Sequence, residues 1–289
     1  METRSATLLD RALPFLIFGV TALVFLPVIH WLLRQTVAHE QLLHAFLVFV
    51  LTVALLVFER RIPVRPVCQF SATVQNLLIL AYALLVAAIF TRLSLVVLAA
   101  LCLSLAALGL FLFGSEQRRI VFASIGALAF FTGLAVLLPV MDWPLRTIAG
   151  QLSAQGLQLL GQEVELGLLR GQSGPMLLLF SEGRPFHVAA ECNGFGMLSS
   201  SLLMALIIVL YRRIPLLDKL ASLAAAAFIA LVFNTVRIVI IVLLAPVVGE
   251  GRYMLMHEIA GVATTYGGLA ILYFLLVPRR AASDPAEHQ

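Results

Sequence analysis

Three polar side chains stand in otherwise apolar surroundings, and together they have the composition of a cysteine-nucleophile site. Cys192 ends a polar stretch in Val188-Ala-Ala-Glu-Cys-Asn-Gly-Phe-Gly196, where an apolar helix is expected to begin. A thiol at a helix start is favoured as thiolate, because the helix dipole and the free N–H groups stabilise an anion there. Gly194 and Gly196 either leave backbone N–H groups open to a negative oxygen or simply permit the turn and close helix packing. Arg237 lies in Phe233-Asn-Thr-Val-Arg-Ile-Val-Ile-Ile241. A charge at the centre of a membrane helix costs ~2.5–3.5 kcal/mol on insertion scales, so it needs a role or a partner. Asn234, three residues earlier on the same helical face, and Glu191 are the candidate partners. His257, in Met254-Leu-Met-His-Glu-Ile-Ala-Gly261, is expected to begin the last helix, with Glu258 in its cap region. A neutral imidazole can take a proton from a thiol or give one to a leaving amine near neutral pH. Glu191, next to the thiol, would orient His257 or pair with Arg237; an uncompensated carboxylate there would raise the thiol pKa.

The elements that must hold these residues are transmembrane. Hydrophobic residues make up 62% of the 289-residue chain and charged residues 12%, which excludes an ordinary soluble domain. Eight apolar runs approach bilayer-spanning length: Leu13–Leu33, Leu42–Phe58, Phe70–Phe90, Leu93–Phe113, Ile120–Val140, Phe195–Tyr211, Leu216–Leu244 and Ile259–Val277. Backbone groups in lipid must be satisfied internally, so the runs are helices and the fold class is an all-α polytopic membrane bundle. The first run follows Arg4 and Arg11 and is read as an anchor, since it is long for a cleaved leader.

Basic residues set the expected orientation. With the N-terminus inside, cytoplasmic segments hold Arg4, Arg11, Arg60, Arg61, Arg65, Arg118, Arg119, Arg212, Arg213, Lys219, Arg279 and Arg280, 12 of the 19 Lys and Arg. Outer segments hold 6: Arg34, Arg92, Arg146, Arg170, Arg184 and Arg252. That bias predicts both termini inside and Cys192 and His257 outside. The net charge of +4 reflects this topology and points to no nucleic-acid partner. Cys68 then falls in a cytoplasmic loop and Cys102 in the fourth helix, so Cys192 is the single outward thiol and no disulfide scheme fits. His30, His39 and His44 lack a Cys or carboxylate set at metal spacing and are read as interfacial, so neither a metal nor a cofactor is expected.

The chain divides into an N-terminal scaffold of five helices (residues 1–140), an outer segment (141–191), a three-helix region carrying the site (192–278) and a cytoplasmic tail (279–289). Within the scaffold, Gln75, Asn76 and Tyr82 are expected to hydrogen-bond between helices. In the outer segment, Trp143–Leu160 carries apolar residues near helical period (Leu145, Ile148, Leu152, Leu157, Leu160) and reads as an amphipathic helix on the outer surface. Glu163–Leu168, Pro175–Ser181 and Pro185–Glu191 read as short strands, with Ser181-Glu182-Gly183-Arg184 turning between the last two.

Glu191-Cys192-Asn193-Gly194 opening a helix, Asn234-x-x-Arg237 one helix later and His257 before the last span resemble the exosortase and archaeosortase family of multipass membrane enzymes. The resemblance covers roughly Met141–Val277 by motif and the rest by hydropathy. It implies a membrane-embedded, sortase-like cysteine transpeptidase, with Cys192 as nucleophile, Arg237 as the cation at the oxyanion or substrate and His257 as acid/base, supported by Glu191, Asn193, Gly194 and Asn234. It also implies exported protein substrates ending in a short motif, a transmembrane helix and a basic tail, with a lipid- or polysaccharide-linked acceptor. Many members carry Ala before the Cys and Ser after it; Glu191 and Asn193 depart from that pattern. Two other functions fit the residues: a cysteine peptidase using water as acceptor, and a non-enzymatic transporter or assembly scaffold with Arg237 as a binding charge.

Overall fold

The computed structural model describes residues 8–63, 66–171, 174–181, 183–188 and 192–277. In chain order it contains α1 (Leu8–Ala38), α2 (Glu40–Glu59), α3 (Ala72–Thr91), α4 (Ser94–Phe113), a 3-10 turn (Ser115–Gln117) and α5 (Arg118–Leu159). β1 (Val164–Gly171), β2 (Gly174–Ser181) and β3 (Arg184–His187) follow, then α6 (Phe195–Tyr211), α7 (Leu216–Val248) and α8 (Glu250–Leu276). Among the described residues, seven helices, α1 to α5, α7 and α8, are long and apolar enough to cross a bilayer. The eighth expected span, α6, is a shorter apolar helix of 17 residues. It rises ~25 Å at 1.5 Å per residue, at the lower limit for crossing the hydrocarbon core. The chain forms two compact units, Met1–Val136 and Leu137–Gln289, and α5 continues through the boundary.

The first unit is helix packed on helix. Val74, Leu78, Ala107, Leu110, Phe111 and Val121 form one buried cluster of α3, α4 and the start of α5. Lipid tails are as apolar as leucine, so such packing depends on close backbone approach and dispersion. Gly109 provides that approach, since a Cβ there would sit 2.9 Å from Val121. Large side chains such as Phe58, Phe90 and Leu23 point outward, as a lipid-facing surface requires. Of the expected interhelical donors, Tyr82 meets Thr21 at 2.8 Å between α3 and α1, whereas Gln75 and Asn76 are exposed.

The second unit adds a small sheet to helices. β1, β2 and β3 are antiparallel in that order, from Val164 opposite Ser181 to Gly171 opposite Gly174, and from Leu178 opposite His187 to Ser181 opposite Arg184. The central strand buries Leu177, Leu178 and Leu179 in succession, because both of its faces are covered. The first two strands and the turn at Ser181–Arg184 fall where the sequence pattern puts them, β1 running three residues further, whereas β3 ends at His187 and the rest of its expected span, residues 189–191, lies outside the described residues. Gly183 takes φ 77°, and Glu182 lies outside the described residues. The Val188 N–H donates to Leu177 O at 3.0 Å, extending the pairing toward Cys192.

Trp143–Leu160 is not a separate helix. It is the C-terminal part of α5, a 42-residue helix that contains Pro139 and Pro144. Each proline removes one N–H from the helix ladder, yet the helix runs on through both. Its buried face also differs from the expected apolar stripe. Leu145, Ala149, Ser153, Ala154 and Leu157 are buried, while Ile148 and Leu160 are exposed. Small residues let α5 approach its neighbours: a Cβ at Gly150 would lie 2.8 Å from Leu177, and one at Gly156 would lie 3.3 Å from Val239.

α6 and α8 run parallel, with α7 antiparallel between them in the chain. Arg212, just past α6, donates from Nη1 to Leu276 O at the end of α8 at 2.8 Å, placing a cation on a helix C-terminus. Arg212 is 20 residues after Cys192 and Leu276 is 19 after His257, so one cross-link at this end brings Cys192 and His257 level at the other.

Candidate active site

Cys192 Sγ and His257 Nε2 are 3.6 Å apart, within reach of a sulfur–nitrogen hydrogen bond. The thiol is buried at 8% exposure but faces a cavity of about 300 Å³. Leu179 and Phe186 from the sheet, Val188 just past β3 and Ile238, Ile241 and Val242 from α7 make its apolar wall, with His187, Tyr253 and Met254 beside Cys192 and His257. A nucleophile and a base in contact at the edge of an apolar hollow is the minimum arrangement for activating a thiol.

The local backbone differs from the expectation of a thiol in the first helical turn. α6 begins at Phe195, and Cys192 lies in the short turn before its N-cap, Gly194. The Phe195 N–H is already bonded to Asn193 Oδ1 at 2.7 Å, so it is not open to an oxyanion. Gly194 instead provides a backbone at φ 81°, a left-handed conformation in which a side chain is strained. A Cβ there would also sit 2.9 Å from Asn234 Nδ2. Asn234 uses that space: its Nδ2 donates to the Cys192 carbonyl at 3.2 Å, so α7 grips the backbone of Cys192 directly. Asn234 and Asn193 are both almost fully buried, 4% and 2% exposed.

His257 is in the third turn of α8, which begins at Glu250 and not at His257. Glu258 is therefore the ninth residue of the helix, exposed, and no part of its cap. Arg237 reaches the same end of α7 and α8. Its guanidinium lies over Gly261, where a Cβ would meet Nη2 at 3.1 Å. Gly261 is one helical turn after His257, so glycine makes room for the cation there. Among the described residues the cavity wall does not include Arg237, which sits a turn deeper than the thiol–imidazole pair. Glu191 lies outside the described residues.

Three residues that the sequence reading passed over belong to this region. Asp142 and Arg146 form a two-pronged ion pair on α5, Nε to Oδ1 at 3.1 Å and Nη2 to Oδ2 at 2.6 Å. Asp142 Oδ1 also accepts from Asn193 Nδ2 at 2.6 Å. The i, i+4 spacing of Asp142 and Arg146 was a readable signal of helix there. Tyr253 stands one turn before His257, their ring centroids 6.3 Å apart, in the wall of the cavity. Of the remaining cysteines, Cys102 is buried in the first unit and Cys68 is exposed.

Beyond the molecule itself, no curated protein and no solved structure matches the chain. One protein family does: the description "Transmembrane exosortase" (Exosortase_EpsH) matches residues 31–275, a span that runs from the end of α1 through the site. With the match extending over most of the sequence, the chain belongs to the transmembrane exosortase family.

Proposed function

We propose that this protein is a cysteine transpeptidase that cleaves a C-terminal sorting signal of exported proteins and transfers them, through a thioester on Cys192, to an acceptor nucleophile. The observation carrying this reading is the 3.6 Å contact between Cys192 Sγ and His257 Nε2 beside the cavity. His257 takes the thiol proton, and the sulfur forms a bond to a substrate peptide carbonyl carbon. The C–N bond then breaks, the amine leaves with the proton returned by His257, and a thioester remains. The acceptor's nucleophilic atom displaces sulfur, passing its own proton to His257. Arg237 is the cation that stabilises the carbonyl oxygen or a neighbouring substrate carboxylate, a role suited to a planar two-pronged donor. Its position one turn below His257 suits approach from beneath the scissile bond.

The cavity's apolar wall supports an apolar substrate side chain next to the bond that is cut. Substrates are exported proteins ending in a motif, a transmembrane helix and a basic tail, the tail helix docking among membrane lipids. The bias of 12 basic residues to 6 supports an extracytoplasmic site in the cell membrane, with both termini cytoplasmic.

The test uses an exported protein of the same genome that carries such a tail. His257→Asn weakens thioester resolution and is expected to accumulate a hydroxylamine-sensitive substrate adduct, absent when Cys192→Ala is added. Wild-type turnover by His257→Ala would overturn the role of the imidazole. The wild-type product distinguishes transfer from hydrolysis: a modified C-terminus supports a transpeptidase, and a free carboxylate supports a peptidase.

A further inference from the structure

Asn193 makes two bonds that together fix which way its amide points. Its Oδ1 accepts the Phe195 N–H at 2.7 Å, so its Nδ2 must turn the other way, where it meets Asp142 Oδ1 at 2.6 Å. An amide NH₂ is a donor only, and an ionised carboxylate is an acceptor only, so the pair has one workable polarity. Asp142 is aligned by Arg146, which grips both of its oxygens. That pairing also keeps the carboxylate's charge from acting on the thiolate as an unscreened negative neighbour. The chain of contacts runs from α5 through Asn193 to the turn that carries Cys192. From the other side, Asn234 on α7 holds the Cys192 carbonyl at 3.2 Å.

We infer that Asp142, aligned by Arg146 and acting through Asn193, is a positioning residue that sets Cys192 against His257. The inference rests on the assignment of Cys192 and His257 under Proposed function. Asp142 is a residue of the long helix and touches neither the sulfur nor the imidazole in any contact described above. Its influence passes through one side-chain amide and two backbone positions. The required geometry is narrow: a nucleophile displaced by about 1 Å from its base loses on the order of a hundredfold in rate.

The experiment reads the rate at which iodoacetamide alkylates Cys192 at pH 7, per folded molecule, in the full-length protein with Cys68 and Cys102 replaced by Ala. Folded protein is quantified by its thermal transition in detergent. Titratable side chains that share the cavity with the thiol are His257 and Tyr253 on α8 and His187 on β3; Arg237 on α7 lies a turn deeper, over Gly261, and none of the four is altered. Asp142→Leu removes the acceptor that Asn193 Nδ2 uses and is expected to slow alkylation at least fivefold. Asp142→Asn keeps an amide oxygen that accepts from Asn193 Nδ2 and Arg146 Nε, and it is expected to stay within threefold of the wild-type rate.

A merely structural contact would move the thermal transition without moving the rate per folded molecule. A rate for Asp142→Leu that equals or exceeds wild type would overturn the inference. So would a rate for Asp142→Asn no faster than that of Asp142→Leu. If Asp142→Leu does not fold, Arg146→Gln decides, because it removes the group that aligns Asp142: slowed alkylation of folded protein supports the inference, and a wild-type rate overturns it. Because alkylation needs no substrate, failure here is distinct from failure of the transpeptidase reading, which would show as substrate processing by Cys192→Ala.

Discussion

The two compact units use hydrogen bonds differently. In residues 1–136, hydroxyls such as those of Thr36, Thr52 and Ser104 bond to the carbonyl four residues back in their own helix, and the Thr21–Tyr82 bond joins two helices. In residues 137–289, hydroxyls such as those of Thr235 and Thr264 do the same, but further side-chain bonds link different elements: α5 to the α6 turn, α7 to the Cys192 backbone, α8 to the thiol, and Arg212 to the end of α8. An apolar interface tolerates small slides, because dispersion changes little with register. A polar contact between helices has one good geometry and loses much of its strength away from it. The difference teaches that the second unit is built for placement of specific atoms, and the first for span and packing.

The sharpest way to break the comparison is to make the same substitution in both units. Cys192→Ala is expected to lower processing by ~10³-fold or more, because no thioester can form. Cys102→Ala, buried in the first unit, should leave processing within about twofold and cost ~1 kcal/mol in stability. A gel shift of the substrate and a melting curve of each variant check both statements. Comparable activity losses at the two sites would erase the distinction.

Arg237→Lys comes next. It keeps the charge but loses the planar fork, and processing should fall ~10²-fold at matched protein level. Near wild-type processing with lysine would reduce Arg237 to a diffuse charge. Gly194→Ala combines a left-handed φ of 81° with a Cβ 2.9 Å from Asn234 Nδ2. It should cost ~1–3 kcal/mol in thermal stability. Activity should fall more than the remaining folded fraction explains, since the Asn234 contact to Cys192 is displaced. The smallest effect belongs to the first unit: Tyr82→Phe removes the bond to Thr21 and should cost ~0.6 kcal/mol with no change in processing.

The sequence disclosed whatever depends on polarity against an apolar background. The spans announced themselves by hydropathy, and Cys192, Arg237 and His257 stood out because they interrupt it. The strands were legible as short runs bounded by the Gly183 turn. What stayed hidden depends on where helices start and how they pack. Reading residues 141–191 as a separate outer segment concealed that α5 runs on through Pro139 and Pro144 and carries Asp142 and Arg146 to Asn193. The start of α8 was placed seven residues late because Arg252 and the polar neighbourhood of Gly249–Gly251 lower hydropathy there. That error also hid Tyr253, which is recognisable as a cavity residue only when it lies a helical turn before His257.

Gly249 alone joins α7 to α8, with φ 74° and ψ 163°, a backbone region that is essentially glycine's own. With no slack between the helices, the angular phase of Tyr253 and His257 is geared to that of Asn234 and Arg237. One inserted residue would turn α8 by about 100° relative to α7, carrying His257 away from the sulfur while leaving both helices equally long and equally greasy. At this joint the lineage can change residues around the glycine, but a change in length would throw the imidazole out of gear.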